Sequence, residues 1–205
     1  MILEINPQNP QDRHIKRVVE CLREGGVIVY PTDTTYGLGC DLYCKNAIER
    51  ILAIKRMPRN KLLSMVCSDL RDISQYGFVD NTAYKIMKRS LPGPYTFVLK
   101  ATKLVPKIML TRQRTIGIRV PNEAISLTLG QQLGHPILST SVRLPDTEEI
   151  LSEPYEIQQR LGHLVDIVID AGIILPTPST VISLVEGVPE ILREGKGLEE
   201  FLAQS

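Results

Sequence analysis

The chain has 205 residues, of which 43% are hydrophobic and 23% are charged, so it can bury one hydrophobic core and does not have the composition of a disordered protein. No stretch approaches the roughly 18 consecutive apolar residues of a membrane span, and the first residues lack the basic and apolar pattern of a signal peptide. We therefore expect a cytoplasmic protein that does not bind membranes. Four cysteines and three histidines fit neither disulfide nor zinc spacing, so no metal site is predicted.

The formal net charge of +1 is unevenly distributed along the chain. Residues 50–119 contain 15 Lys and Arg and three Asp, which gives a net charge of +12. Residues 146–205 contain three Lys and Arg and 12 Asp and Glu, which gives a net charge of −9. A concentrated basic segment can bind a polyanion such as RNA. The alternative is that these charges scatter over the folded surface.

Strand and helix patterns alternate along the whole chain without a linker or a repeat, which predicts one α/β domain over residues 1–205. The predicted strands are 2–5, 27–30, 62–66, 95–99, 115–120, 137–141, 167–169, 181–184 and 190–193. The predicted helices are 12–24, 47–54 (ended by Pro58), 82–90, 123–133 and 153–161. Some strands follow one another with short turns, so we expect a mixed sheet rather than a wholly parallel one.

A polar loop follows the strand predicted at 27–30. It has the sequence Pro31-Thr32-Asp33-Thr34-Thr35-Tyr36-Gly37-Leu38-Gly39, without the glycine spacing of a Rossmann or P-loop motif. Ligands of open α/β sheets bind at the carboxyl ends of strands, so the loop's hydroxyls and carboxylate predict a binding loop. The alternative is a capped polar turn before the next helix, in which Asp and Thr bond to their own backbone.

A second candidate is the strand predicted at 115–120, where alternation places Thr115, Gly117 and Arg119 on one face. The glycine leaves room for a ligand, and an arginine can bind carboxylate or phosphate through its planar fork. The alternative is an edge strand whose arginine reaches into solvent. Ser139 and Ser141 end the next strand with the same parity, as hydroxyls facing the same space or as ordinary turn residues.

Four cations, Lys55, Arg56, Arg59 and Lys61, cluster where the helix predicted at 47–54 ends. They could neutralise a triphosphate, or they could simply suit the negative end of the helix dipole. No Ser-His-Asp or Cys-His arrangement is indicated, so a protein nucleophile is not expected.

Together these motifs resemble the YrdC-like family over about residues 10–195, in the same order and with similar spacing. The resemblance includes the polar loop, the Lys-rich helix end, Leu91-Pro92-Gly93-Pro94-Tyr95-Thr96, Ser139 to Ser141, Ser179-Thr180-Val181 and Leu192-Arg193-Glu194-Gly195. Phe78-Val79-Asp80-Asn81 and Leu138-Ser139-Thr140-Ser141 are most similar to its YciO branch. The resemblance implies an open, strongly twisted mixed sheet with a positively charged concave face.

The best-known members of that family are threonylcarbamoyl-AMP synthases, which join L-threonine, bicarbonate and ATP and release pyrophosphate, for the modification of transfer RNA. The resemblance implies ATP with Mg²⁺ as cofactor, L-threonine and bicarbonate as further ligands, and RNA rather than DNA as a partner. The roles that it implies are catalytic for Lys55 and Arg56, substrate-binding for Thr32, Arg119, Ser179 and Thr180, and nucleotide-binding for Lys55, Arg59, Thr115, Ser139, Ser141 and Arg193.

Three residues depart from the family pattern. Met57 stands at the third position of the family's Lys-x-Arg, Ser141 replaces the asparagine of its Ser-x-Asn, and Val66 replaces a histidine near the threonine site. Two hypotheses therefore stay open. The chain is an ATP-using synthase with an altered phosphate motif, or it is a non-catalytic RNA-binding module with a vestigial pocket. The second hypothesis places RNA on Lys85, Lys88 and Arg89.

Overall fold

The chain forms one mixed β-sheet of ten strands flanked by helices, in a computed structural model that describes residues 1–56, 63–144, 147 and 149–203. The strands are β1 (Ile2–Glu4), β2 (Val27–Tyr30), β3 (Gly37–Asp41), β4 (Ser64–Val66), β5 (Tyr95–Lys100), β6 (Thr115–Arg119), β7 (Ile137–Ser141), β8 (Ile167–Asp170), β9 (Thr180–Ser183) and β10 (Glu190–Arg193). The helices are α1 (Asp12–Arg23), α2 (Lys45–Ile54), α3 (Leu70–Tyr76), α4 (Asn81–Ser90), α5 (Ala124–Leu133), α6 (Pro154–Leu161) and α7 (Leu198–Ala203). The predicted fold class is confirmed.

The strand order is β1-β8-β2-β3-β7-β4-β6-β5-β9-β10, which mixes parallel and antiparallel neighbours. Strands β2 and β3 form an antiparallel hairpin, whereas β4 pairs in parallel with β6 and in antiparallel with β7. In this register Ser64 lies between Ser139 and Gly117, so the three residues share one face of the sheet. The chain thus brings polar residues from distant segments into one row.

The two faces of the sheet are covered unequally. On one face α1 and α5 bury a small apolar cluster with β2 and β8, and α1 contributes Ile15, Val18, Val19 and Leu22 at helical spacing. The other face carries the larger cluster, to which α2, α3, α4, α6 and α7 all contribute. Within the described ranges, no helix covers the first face beyond α1 and α5, in the half of the sheet that ends in β10.

Three elements differ from the sequence prediction. Residues 37–39, expected in the polar loop, begin strand β3, so the loop joins two strands rather than leading to a helix. The glycines hide this strand from pattern analysis, yet they are required: a Cβ on Gly37 or Gly39 would lie 2.9 or 2.8 Å from Cε1 of Tyr30. The short helices α3 and α7 were not predicted, since seven and six residues give too few turns for a clear periodicity.

Among the described residues, no helix is long and apolar enough to cross a membrane. Pro58, predicted to end the second helix, lies outside the described residues; α2 itself ends at Ile54.

Candidate functional site

A polar cleft lies on the open half of the sheet, opposite the larger apolar cluster. Its described lining combines hydroxyl groups from three strands and two loops with three guanidinium groups. The hydroxyls belong to Thr34, Thr35, Ser64, Thr96, Ser139, Thr140, Ser141 and Ser179, and the guanidiniums to Arg119, Arg143 and Arg193. Such a lining is suited to an anionic, hydrogen-bonding ligand.

Arg119 ends β6 and is anchored at the rim of the cleft. Its Nη2 donates to Oδ1 of Asp33 and to Oγ1 of Thr34, both at 2.8 Å, and the side chains of Arg119 and Asp33 are only 11% and 9% exposed. The second oxygen of Asp33 accepts from the backbone N–H of Asn122 at 3.0 Å. Because β6 lies between β4 and β5, the alternative of an edge strand with a solvent-exposed arginine is wrong.

Among the described residues, the buried Nε atom of Arg119 has no hydrogen-bond partner. A buried, unsatisfied guanidinium N–H is costly, at about 1–3 kcal/mol. The arginine therefore retains hydrogen-bonding capacity beyond Asp33 and Thr34, as expected of a group that binds an anion.

Thr32 does not line the cleft, because its hydroxyl stabilises the loop from within. Oγ1 of Thr32 accepts from the backbone N–H groups of Thr34 and Thr35 at 3.3 and 3.2 Å, and it donates to the carbonyl of Thr35 at 2.6 Å. This is the capped turn that was the alternative interpretation of the loop, although a strand rather than a helix follows it. The hydroxyls that face the cleft are those of the next two threonines, which the sequence analysis did not single out.

Arg193 approaches from β10 and closes the other side of the cleft. Its Nη2 donates to the carbonyl and to Oγ of Ser179 at 2.9 and 3.1 Å, and Oγ of Ser179 also bonds to Oγ1 of Thr96 at 2.8 Å. Partial burial, together with the nearby charges of Arg119 and Arg143, lowers the pKa of the Arg193 guanidinium. The positive charges of the three guanidiniums therefore repel one another, which favours the binding of an anion between them.

The adjacent Thr180 points elsewhere: its hydroxyl donates to the carbonyl of Lys196 at 2.9 Å, and it does not line the cleft. Lys196 in turn donates from Nζ to the carbonyl of Asp33 at 2.6 Å. This contact connects the C-terminal segment to the loop whose Asp33 pairs with Arg119.

Ser139 lies on the floor of the cleft, with its hydroxyl fixed from below. The buried Tyr30 donates from its hydroxyl to Oγ of Ser139 at 2.7 Å, and burial raises the pKa of Tyr30 to about 12. Ser141 also lines the cleft, as its parity predicted. Thr115 does not, because its hydroxyl bonds to that of Thr111 at 2.7 Å.

Lys55 lies behind the cleft rather than in its lining. Its Nζ donates to the backbone carbonyls of Ser141 and Arg143 at 3.0 and 2.7 Å. Arg56 follows it as an exposed residue with a positive φ of 48°. Arg59 and Met57 lie outside the described residues.

The residues predicted to bind RNA lie apart from the cleft. Lys85, Lys88 and Arg89 are exposed on α4, whose Ala83 and Met87 belong to the apolar cluster on the opposite face of the sheet. A ligand in the cleft and an RNA on α4 would therefore occupy two different surfaces.

The family resemblance implies Mg²⁺, and the described residues do not form a protein site for it. The described lining contains no carboxylate, the ligand that Mg²⁺ prefers, and no group of three or more His, Cys, Asp or Glu is placed for a metal ion in the described ranges. We therefore assign no residue to a metal.

Comparison with known proteins agrees with this fold. The Sua5/YciO/YrdC family model, described as "Telomere recombination", matches residues 20–195. The protein YciO of Escherichia coli is 48% identical over 194 residues, 94% of each chain, and the crystal structure of E. coli YciO covers 98% of both chains with a TM-score of 0.93.

More distant relatives have names that state an activity or a ligand. A threonylcarbamoyl-AMP synthase of Pseudoalteromonas translucida is 35% identical over 160 residues, 74% of this chain and 84% of that one. The crystal structure of P. abyssi Sua5 complexed with L-threonine has a TM-score of 0.90 at 25% identity, and covers 98% of this chain and 61% of that one. The chain described here therefore belongs to the Sua5/YciO/YrdC family, with close similarity to YciO.

Proposed function

We propose that the chain binds ATP and L-threonine in the polar cleft and, with bicarbonate, converts them to threonylcarbamoyl-AMP. The observation that carries the proposal is the convergence of Arg119, Arg143 and Arg193 on a cleft whose described lining contains no carboxylate. Arginine pairs with carboxylates and phosphates through charge-assisted hydrogen bonds, and both groups occur among these ligands. The relatives named as synthases, and the relative complexed with L-threonine, support the choice of ligands.

The reaction needs positioning and charge neutralisation rather than a protein nucleophile. The threonine amine and bicarbonate form a carbamate and water. A carbamate oxygen then attacks the α-phosphorus of ATP, so that a new P–O bond forms as the bond to pyrophosphate breaks. Guanidiniums beside the phosphates would stabilise the charge that develops on the departing pyrophosphate. In this assignment Arg119 binds the threonine carboxylate, while Arg193 and the Ser139 hydroxyl contact the nucleotide.

The test is pyrophosphate release from ATP and bicarbonate, with and without L-threonine. We expect release that depends on threonine. Arg119→Lys keeps a positive charge but loses the planar fork, so we expect the KM for threonine to rise about tenfold or more. The exposed Arg17→Gln on α1 is the matched control and should behave as the wild type. Absence of pyrophosphate release by the wild type would refute the proposed activity, and absence of ATP binding as well would refute the nucleotide site.

The same assay tests the departure at position 57 from the family's Lys-x-Arg. If the wild type binds ATP but releases no pyrophosphate, and Met57→Arg restores threonine-dependent release, the cleft is a binding site that lacks one guanidinium. If both proteins release pyrophosphate, another cation replaces the missing arginine of the Lys-x-Arg motif.

RNA binding is a second candidate function. The observation that favours it is that Lys85, Lys88 and Arg89 are exposed together on α4, at positions i, i+3 and i+4 of one helical face. Cations arranged in this way can contact neighbouring phosphates, and each contact should make the affinity depend on salt. A cytoplasmic location, where ATP and RNA are both present, stays a prediction.

The RNA proposal is tested by measuring the affinity for a short double-stranded RNA at several salt concentrations. Replacing Lys85, Lys88 and Arg89 together by Glu should weaken RNA binding at least tenfold. It should also reduce the magnitude of the slope of log K against log salt concentration by about three. The control replaces three exposed cations of α1, at positions 13, 16 and 17, by Glu. Equal effects of the two triple variants, or unchanged binding in the α4 variant, would refute an RNA site on α4.

A further inference from the structure

Lys196 is a cation of the C-terminal segment that the sequence motifs do not assign. It follows Arg193 by three residues, and its Nζ donates to the backbone carbonyl of Asp33 at 2.6 Å. This distance is short even for a hydrogen bond from a charged donor. In the part of the chain that the structure describes, Lys196 forms no ion pair with a carboxylate, so the partner of its ammonium is the carbonyl of the loop.

The loop between β2 and β3 is held from two sides at Asp33 and Thr34. The side chains of both residues accept from Nη2 of Arg119 at 2.8 Å. Their carbonyls accept from the other side, that of Asp33 from Nζ of Lys196 and that of Thr34 from the N–H of Thr177 at 3.2 Å. Because the same two residues carry both sets of bonds, the orientation of Arg119 depends on where Lys196 holds the loop.

The backbone at Lys196 is itself fixed against the start of β9. Its N–H donates to the carbonyl of Pro178 at 2.8 Å, and its carbonyl accepts from the hydroxyl of Thr180 at 2.9 Å. A Cβ at Gly195 would collide with the carbonyls of Pro178 and Ser179, so glycine is required for this close approach. The lysine side chain therefore reaches the loop from a backbone that is already held in place.

We propose that Lys196 is a positioning residue, which holds Asp33 so that Arg119 keeps the orientation in which it binds the carboxylate of L-threonine. The inference rests on the proposed function, because it takes Arg119 as the partner of that carboxylate, and it goes further by assigning a role to a residue outside the cleft. Lys196 is not among the described residues that line the cleft, so it acts through the loop. Its loss should weaken the binding of threonine, while the binding of ATP, assigned to Arg193 and Ser139, changes little.

The test is calorimetric titration with L-threonine and, separately, with ATP. We expect Lys196→Met, which keeps the aliphatic chain but loses the ammonium, to weaken threonine binding by about threefold to tenfold and ATP binding by less than about twofold. Lys196→Arg should recover most of the loss, because a guanidinium can also donate to the carbonyl of Asp33. The matched control is Lys103→Met, which changes an exposed lysine after β5 in the same way and should bind both ligands as the wild type does. Thermal unfolding shows that each variant is folded.

A double-mutant cycle tests whether Lys196 acts through Arg119. Arg119→Lys removes the planar fork, so Lys196→Met added to it should cost little further threonine affinity. The NMR signal of the Arg119 Nε–Hε group in the ligand-free protein gives an independent readout, since it should shift in Lys196→Met and stay in place in Lys103→Met. Additive losses of affinity would mean that Lys196 contacts threonine itself, and they would overturn the positioning role, as would an Arg119 signal that does not shift.

The outcomes separate this inference from the proposed function. Wild-type protein that binds no L-threonine would refute the proposed function, and with it the assignment of Lys196 to threonine binding. Wild-type threonine binding that Lys196→Met leaves unchanged, or that it weakens no more than ATP binding, would refute the inference alone.

Discussion

The Asp33–Arg119 ion pair joins the loop to the sheet at the site and makes a strong prediction about stability. Both side chains are about nine-tenths buried, and Asp33 also accepts from the N–H of Asn122. Asp33→Ala leaves a buried guanidinium without its counter-charge, which destabilises proteins by about 3–5 kcal/mol. For a chain of this size each kcal/mol corresponds to roughly 2–4 °C, so we expect the melting temperature to fall by about 6–20 °C.

The assay is urea and thermal unfolding followed by circular dichroism. Glu186→Ala removes an exposed ion pair to Lys100 and should leave the unfolding midpoint unchanged. Adding pyrophosphate should stabilise Asp33→Ala more than it stabilises the wild type, because the anion replaces the lost carboxylate beside Arg119. A variant as stable as the wild type, or one that pyrophosphate does not stabilise further, would contradict the role assigned to Asp33.

Three further predictions concern the surroundings of the cleft. Tyr30→Phe removes the hydrogen bond to Ser139 and should lower the free energy of unfolding by about 1 kcal/mol in urea titrations; no change would mean that the bond adds nothing. Gly39→Ala places a Cβ 2.8 Å from the Tyr30 ring and should destabilise by about 1–3 kcal/mol, whereas Gly134→Ala meets no atom within 4 Å and is strained only by its positive φ of 86°. Nε2 of His135 lies 3.4 Å from Oδ2 of Asp41. Burial alone would lower the pKa of the imidazole, but the hydrogen bond to the carboxylate outweighs it and raises that pKa. The stability that this pair contributes is therefore complete below the unfolded pKa of about 6.5, and it is lost as the pH rises through the folded pKa. His135→Gln should accordingly lower the free energy of unfolding more at pH 5.5 than at pH 8.5. A larger effect at pH 8.5 would refute the ion pair.

Much of the fold could be predicted from sequence because hydrophobic periodicity reports burial directly. The stripe of Ile15, Val18, Val19 and Leu22 predicted α1, and alternation along residues 115–120 predicted β6 and the face that carries Arg119. Strand β3 could not be found in this way, since Gly37 and Gly39 carry no side chain to alternate. Both glycines are needed because a larger residue would collide with Tyr30 on the neighbouring strand, and this contact exists only in the folded hairpin.

The site was predicted in part, for an equally physical reason. Strand parity identified Arg119 and Ser139 as residues facing one space, and both line the cleft. Parity cannot show whether a hydroxyl already has a partner. The hydroxyls of Thr32 and Thr115 are hydrogen-bonded to neighbouring groups, which only the folded structure reveals. Arg143 escaped prediction because the predicted strand ends at Ser141, so its parity was not extended to residue 143.

The central claim is that the cleft arginines bind the anionic groups of ATP and L-threonine. The most direct measurement is a two-dimensional NMR titration that follows the arginine side-chain Nε–Hε signals as ATP and then L-threonine are added. We expect the signal of Arg193 to shift with ATP and that of Arg119 to shift with L-threonine, while those of exposed arginines such as Arg17 and Arg89 stay in place. Unchanged cleft signals, or shifts confined to α4, would contradict it.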